Sequence, residues 1–358
     1  MKLLYITNGI NGAGGLERVL SIKTSYFAEQ DKYEVHILVL NNANQNNFYE
    51  FSNRIHHHSI NLGGSIIQYL KNYKKGIQGV IDKINPDIIS VCDDGLKGFF
   101  LPKLIKGGSI WIYERHASVE LNRQKGWIGK LSVYLMRKMS KSFDAFVVLT
   151  PTNIKEWNCK NIVAIPNPMS FYSSQTNPLD QKKIIAVGSH SENKGFDTLV
   201  DIWHKVEKFY PDWELHVYGK IDINKTYILQ AKNLGLKHLF FHPPYSQIQK
   251  KFEESSIMVL PSRSEGFGMV LIEAMACGVP CIAFDCPSGP RDIIQHKIDG
   301  ILVENQNKHQ FYTEMIKLIS NTYERAELGS KAKQNVLRFS IEKIAEQWVN
   351  LFNQLLRA

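Results

Sequence analysis

The feature that most constrains the fold is a repeated pairing of a short apolar run with a longer stretch of helical spacing. Lys2–Thr7 and Glu34–Leu40 have the length and apolar content of buried strands, and Gly15–Glu29 between them has the 3.6-residue period of a helix. The alternation continues through Asp87–Val91, Ser109–Tyr113 and Ala145–Leu149. Buried strands joined by crossover helices predict a parallel sheet covered by helices, an α/β architecture.

The rhythm breaks at Ile165-Pro-Asn-Pro-Met-Ser and the polar run 173–183, where proline and small polar residues stop regular structure. It restarts with a strand at Lys183–Val187 and a helix at Gly195–Phe209. Strands follow at Glu214–Tyr218, Leu239–His242, Ile257–Leu260 and Pro280–Phe284. A chain of 358 residues with 44% hydrophobic content supports two such domains, here 1–170 and 171–340. Apolar residues at 341, 344, 345, 348, 349, 352, 355 and 356 make the remaining segment an amphipathic helix that needs a surface to cover, and the first domain is the expected one. The asparagine-rich run 41–47 reads as a mobile loop.

The formal charge is +9, and it is unevenly placed. Residues 1–170 hold 21 Lys/Arg against 13 Asp/Glu, net +8, whereas 171–358 hold 22 against 21, net +1. A basic surface suits nucleic acid, an anionic membrane or a phosphorylated substrate. Nucleic acid is set aside, because no recognition helix, zinc spacing or aromatic RNA-binding signature accompanies the charge. No apolar run approaches the roughly 20 residues of a membrane-spanning helix. The first strand runs into glycines instead of a signal-peptide cleavage site. Five cysteines, none in Cys-x-x-Cys spacing, read as buried thiols of a reducing compartment, so a cytoplasmic location is expected.

The densest chemical signal is Pro261-Ser-Arg-Ser-Glu-Gly-Phe-Gly-Met-Val-Leu-Ile-Glu-Ala-Met-Ala-Cys-Gly-Val-Pro. A strand ends, a glycine turn follows, and a helix begins. Gly266 and Gly268 let the backbone approach a ligand closely, and the amides of Met269 and Val270 at the helix start favour a pyrophosphate oxygen. Glu265 precedes the helix and can face a sugar. Glu273, expected about two turns inside the helix, can accept from both ribose hydroxyls.

Here the chain resembles glycosyltransferase family 4, retaining enzymes of the GT-B fold, whose second domain carries a Glu-Gly-Phe-Gly…Glu-Ala-Met-Ala-Cys-Gly-x-Pro run. The resemblance extends to Gly12-Ala-Gly-Gly-Leu-Glu-Arg-Val, Asp144-Ala-Phe-Val-Val-Leu-Thr, Ile165-Pro-Asn-Pro and Asn193-Lys-Gly-Phe-Asp, and so covers nearly the whole chain. Cys286-Pro-Ser-Gly-Pro-Arg-Asp-Ile-Ile is similar to the branch that builds bacterial surface polysaccharides. The resemblance implies two Rossmann-like domains facing across a cleft, a nucleotide-sugar donor, a UDP-sugar by preference, and transfer to a lipid-linked or oligosaccharide acceptor with retained anomeric configuration. It implies no metal ion and no separate cofactor.

Carried over residue by residue, it makes His116 the first-domain active-site histidine and Lys194 the lysine that offsets charge on the leaving diphosphate. Gly14 and Gly15 occupy the glycine loop after the first strand, and Glu265, Gly266, Phe267, Gly268, Met269, Val270 and Glu273 form the donor grip. One departure stands out. The family reads Gly-Arg-Leu ahead of the lysine, whereas this chain reads Gly188-Ser-His, so Ser189 replaces an arginine. His190, Arg263 and Arg291 are the three substitutes open to it.

Glu114 and Arg115 alternate with His116 about a strand end, so the three cannot all face one way. Asp93-Asp94 lacks the Asp-x-Asp spacing of metal-dependent transferases, and His56-His57-His58 reads as a loop with no metal partners. Retaining glycosidases use two carboxylates about 5 Å apart, and no such pair is evident. From 123 to 141 six Lys/Arg interleave with Trp127, Ile128, Leu131, Tyr134, Leu135 and Met136, with no acid. Two readings of that segment stay open, an anionic membrane contact and a helix with solvated charges. A nucleotide-sugar 2-epimerase and a catalytically degenerate scaffold subunit are the rival functions.

Overall fold

The structure, a computed structural model, describes residues 1–41, 45–60, 62–119 and 127–357. Part of the asparagine-rich run and residues 123–126 of the basic segment therefore lie outside the described residues. The chain divides into two compact units, Met1–Pro168 with Ile341–Ala358, and Met169–Ser340.

The first unit begins β1 (Lys2–Thr7), α1 (Gly15–Ala28), β2 (Glu34–Val39), β3 (His56–Ser59) and α2 (Ile66–Ile84). It continues with β4 (Ile88–Cys92), α3 (Leu101–Leu104), β5 (Ile110–Glu114), α4 (Trp127–Met139), β6 (Ala145–Val148), α5 (Pro151–Ile154) and β7 (Ile162–Ala164). The second unit begins β8 (Lys183–Val187), α6 (Phe196–Phe209), β9 (Glu214–Tyr218), α7 (Thr226–Asn233), β10 (Leu239–His242) and α8 (Ile248–Glu253). There follow β11 (Ile257–Leu260), α9 (Met269–Ala276), β12 (Cys281–Phe284), α10 (Pro290–Ile293), β13 (Ile301–Val303), α11 (Lys308–Ser320) and α12 (Thr322–Asn335). The last helix, α13 (Ile341–Arg357), returns to the first unit.

Among the described residues the sheets run β3-β2-β1-β4-β5-β6-β7 and β10-β9-β8-β11-β12-β13, with every pairing parallel. These are two Rossmann-like α/β units. Both place the first strand centrally, so the chain order reverses beside it and the loops on either side of that switch point converge.

Burial on both faces explains why the strands read as continuous apolar runs. Leu3, Leu4, Tyr5 and Ile6 are each no more than 1% exposed. Leu4 and Ile6 face a core completed by α2, α3 and α4, while Leu3 and Tyr5 face α1 and α13. In α13, Ile344, Ala345, Trp348 and Phe352 fill the second of these cores. The strong amphipathic period of the terminal helix thus has a physical destination on the first unit's sheet. No helix among the described residues is long and apolar enough to cross a membrane.

One expectation is corrected. His56-His57-His58 is not a loop but β3, paired His36↔His56, Ile37↔His57 and Leu38↔His58 with β2. A histidine run carries no strand propensity of its own, and its partners supply the order. His36 Nε2 lies 3.0 Å from Glu34 Oε1, and His36 Nδ1 lies 3.0 Å from His58 Nε2. A carboxylate only accepts, so His36 carries its proton on Nε2 and accepts at Nδ1 from His58 Nε2–H. The second unit repeats the arrangement at its own edge. There His216 Nε2 lies 3.0 Å from Glu214 Oε2, and His216 Nδ1 lies 2.9 Å from His242 Nε2.

Burial holds the imidazoles of His36, His58 and His242 below their ordinary value. A group whose folded value is depressed contributes stability that is complete above its unfolded value and is lost as pH falls through the folded one. Urea midpoints should therefore fall as pH drops from about 7 to about 5. Replacing His58 and His242 together by Phe should flatten that limb. An unchanged slope in the double variant would show that the edge pairs do not titrate.

Candidate functional site

In the second unit, three neighbouring strands deliver three loops to one sheet edge. β8, β11 and β12 are adjacent, and their carboxyl ends lead into residues 188–195, 261–268 and 285–289. Hydrogen bonds stitch the first two loops together, Asn193 Nδ2 to the Ser264 carbonyl at 2.7 Å and the Arg263 amide to the Asn193 carbonyl at 2.8 Å. Ser288 Oγ joins the third by donating to the Glu265 carbonyl at 2.7 Å.

Two glycines are obligatory here. Gly195 caps α6 at φ 67°, and a Cβ on it would collide with the Pro261 carbonyl. Gly289, at φ 90°, would collide with the Phe267 carbonyl. Both lie in left-handed backbone that side chains rarely adopt, so the loops can close on one another only through glycine.

Across this stitched edge Lys194 Nζ lies 2.7 Å from Glu265 Oε1, with side chains 22% and 9% exposed. Residues far apart in sequence are thus brought into one charge pair open to solvent. Gly268, at φ 106°, begins α9, so the amides of Met269 and Val270 belong to the first turn, whose N–H groups have no partner within a helix. The helix starts at Met269 as expected, but Glu273 is its fifth residue and so sits little more than one turn inside α9, not the two expected. Its carboxylate is buried and accepts from Ser170 Oγ at 2.8 Å. Phe267 is aimed into the core, its ring 5.5 Å from Phe339 in an edge contact, so it acts by fixing the turn and not by offering a face to a ligand. Burial, and after it the Glu265 charge, pushes the nearby Cys286 thiol up to about 12, which leaves it protonated and inert.

The three substitutes for the missing arginine are all engaged. Arg263 makes a bidentate pair with Asp197 at 2.9 and 2.6 Å. Arg291 makes one with Asp285 at 2.8 and 2.9 Å. His190 is packed edge-on against Phe196, Tyr227 and Phe241, with Nδ1 3.7 Å from Asp222. Desolvation lowers its pKa, so it is a neutral core histidine. Ser189 is exposed.

In the first unit, Gly14 caps α1, and a Cβ there would lie 2.5 Å from the Glu17 carboxylate. Gly15 opens the helix. His116 lies two residues past the end of β5, its Nε2 3.3 Å from Glu114 Oε2. The period of two therefore holds, with Glu114 and His116 on one side and Arg115 on the other, where Arg115 donates to the Asp94 carbonyl at 2.7 Å. Asp94 Oδ1 accepts from the His116 and Ala117 amides at 3.0 and 3.1 Å and so fixes the turn that carries the imidazole. Asp93 is buried and accepts from Asn8 Nδ2 at 2.8 Å and the Gly95 amide at 2.7 Å. Both acids of the Asp-Asp pair are thereby tied to loop backbone.

Sequence reasoning missed what lies behind His116. Lys23, on the apolar face of α1, is 1% exposed and forms an ion pair with Glu114, while Ser90 donates to the same carboxylate. The ammonium is roofed by the Trp348 ring of α13 at 4.2 Å and by Tyr5 at 5.0 Å. The one signal available was a lysine in register with Leu20 and Phe27. Burial alone would raise the Glu114 pKa, but Lys23 and then His116 outweigh it and hold the carboxyl well below the ordinary range. Cys92, Glu114 and His116 bring potential metal-ligand atoms within 4.8 Å of one another. The Glu114 carboxylate already carries an ammonium, and burial raises the Cys92 thiol, so this cluster is an ion-pair core and not a cation cage. An open groove of about 560 Å³ runs along α2, lined by Ile60, Asn72, Lys75, Gly76 and Val80, and holds none of the site residues.

Removing one partner of a buried pair strands the other, a cost of about 3–5 kcal/mol. Lys23→Met should lower stability by that order, and adding Glu114→Gln should recover most of it. Urea unfolding of the three variants and the parent closes the cycle, and additive losses would show that the two side chains are uncoupled.

Residues 171–335 match the family model described as glycosyl transferases group 1. Two relatives match along nearly the whole chain. An uncharacterized glycosyltransferase of Haemophilus influenzae is 29% identical, over 97% of this chain and 98% of its own length. The amylovoran biosynthesis glycosyltransferase AmsD of Erwinia amylovora is also 29% identical, over 98% of this chain and 99% of its own. Among solved structures, a variant of S. aureus TarM in complex with fondaparinux, alpha-GlcNAc-glycerol and UDP superposes with a TM-score of 0.80 at 16% identity, covering 98% of this chain and 99% of that one. With the two parallel-sheet units of the GT-B architecture and these sequence matches, the chain is a glycosyltransferase.

Proposed function

We propose that this glycosyltransferase moves a hexose or N-acetylhexosamine from a UDP-sugar to a hydroxyl of a lipid-linked or oligosaccharide acceptor in surface glycan biosynthesis, with retention of configuration. The observation that carries the reading is the Lys194–Glu265 pair on the stitched loops beside the start of α9. It is supported by the amylovoran assignment of one relative and by the UDP bound to TarM.

In this reading the donor diphosphate takes the Lys194 ammonium and the first-turn amides of α9, where negative charge develops as the glycosidic bond breaks. Glu265, released from Lys194, accepts a hydrogen bond from a hydroxyl of the transferred sugar. Glu273 holds the ribose hydroxyls in exchange for Ser170. The pair thus couples two ends of one ligand, since the lysine leaves the carboxylate only when another anion replaces it. No arginine at 189 helps Lys194, so its share of the phosphate charge is larger than in the usual family pattern. His116 is assigned to the transferred sugar, its imidazole oriented by Glu114. The acceptor attacks from the side the diphosphate leaves, and the departing phosphate takes its proton.

Glu265→Gln, Lys194→Met and His116→Ala should each lower kcat/KM by roughly 100-fold or more, the scale of losing one transition-state hydrogen bond or charge. Glu265 and His116 are largely buried, with side chains 9% and 6% exposed, so urea unfolding is measured on each variant and the fall in turnover should exceed any loss of folded protein. Turnover would be followed with radiolabelled UDP-sugars on membrane extracts and the anomer of the product read by NMR. Calorimetry with UDP- and GDP-linked sugars that gave no heat of binding would remove the donor assignment, and an inverted product would remove retention.

A further inference from the structure

Two helices of the first unit begin with the same exposed apolar pattern. In α2 the side chains at i, i+1 and i+4 are Ile66, Ile67 and Leu70, exposed by 82%, 79% and 61%. In α4 they are Trp127, Ile128 and Leu131, exposed by 73%, 59% and 45%, and Tyr134 one turn further extends the stripe at 60%. Isolated exposed apolar residues are ordinary, but two matching clusters of this size on one unit are not.

The topology puts both clusters at one end of the sheet and on one of its faces. α2 follows β3 and α4 follows β5 in an all-parallel sheet, so both helices start at its carboxyl edge. Both contribute to the same core, through Tyr73 and Ile77 of α2 and Val133 and Met136 of α4, so both lie on one face. Residues 96–100, which follow β4, sit between them, with Lys97 Nζ 3.4 Å from the Tyr69 hydroxyl of α2. The first turn of α2 is held by a capping box of Ser65 and Gln68, so its apolar side chains are presented on an ordered helix.

Charge selects the occupant. Exposed Lys71, Lys74 and Lys75 follow the α2 cluster, and exposed Lys130 and Lys138 flank the α4 stripe. No acidic residue occurs between 51 and 81 or between 121 and 143. The residues of the first unit hold 23 Lys/Arg against 15 Asp/Glu, net +8. A second copy of this chain would bring like charge against like in a self-complementary interface. A bilayer with anionic headgroups offers an apolar boundary behind a negative surface, and Trp and Tyr favour that boundary. We propose that the first turns of α2 and α4 form one apolar rim with a basic flank that seats the first unit on an anionic phospholipid membrane.

The test is co-sedimentation of the full chain with vesicles of phosphatidylcholine alone or with about a third phosphatidylglycerol. Two triple variants are compared, Ile66→Ser/Ile67→Ser/Leu70→Ser and Trp127→Ser/Ile128→Ser/Leu131→Ser. The parent should bind the anionic vesicles at least about tenfold more strongly than the neutral ones, and added salt should weaken it. Each triple variant should lose about tenfold in partitioning. Circular dichroism, urea midpoint and heat of UDP-sugar binding should remain those of the parent. The last readout keeps failure of the rim separate from failure of the donor site. Equal binding to both vesicles, no binding at all, or one triple variant that binds like the parent would overturn the proposal. Concentration-dependent self-association of the parent that both triple variants abolish, without vesicle binding, would reassign the surface to a second copy.

Discussion

A lysine held 2.7 Å from a glutamate across two neighbouring strand ends is the constraint on which the second unit's site depends. Neither loop could hold its charge in place alone. Lys194 ends a short helical turn that reverses at Gly195, and Glu265 sits in a turn that reaches α9 only through Gly268. The geometry follows because β8 and β11 are sheet neighbours and because the Asn193 and Arg263 hydrogen bonds fix one loop on the other. A substitution that forced either glycine back to negative φ would separate the charges before it touched either of them.

The same constraint bears on the missing arginine. With Ser189 in its place, a replacement cation would have to abandon an existing partner. Arg263 would give up both oxygens of Asp197 and Arg291 both oxygens of Asp285, and His190 would have to leave an aromatic cage in which it stays neutral. Each arginine exchange costs charge-assisted hydrogen bonds, which are about twice as strong as neutral ones. Lys194 faces no such obstacle, because its one carboxylate partner is itself a ligand in the proposed complex.

Much of this was legible in the sequence, and the reasons are local. Buried parallel strands must be apolar on both faces, so Ile257–Leu260 declared itself. The glycine turn before α9 was legible because only glycine allows its backbone path. What escaped is non-local. His56–Ser59 is a strand because β2 pairs with it, and no property of three histidines says so. Lys23 sat in plain view on an apolar face, but its partner lies 91 residues away, and spacing arguments do not reach that far.

The two units answer one topological problem twice and differ where function requires it. In each a Glu-x-His strand lies next to the edge strand, and its imidazole bridges a carboxylate of its own strand and a histidine of that edge strand. Each also carries a lysine–glutamate pair near the carboxyl ends of its strands. In the first unit the pair is sealed, at 1% and 2% exposure beneath Trp348, and an uncompensated charge there would be costly to either partner. In the second it is open, at 22% and 9%, where water and an incoming anion can compete for the lysine. The difference in exposure separates a sealed pair beside His116 from one whose lysine, in the proposed complex, passes from Glu265 to the donor diphosphate.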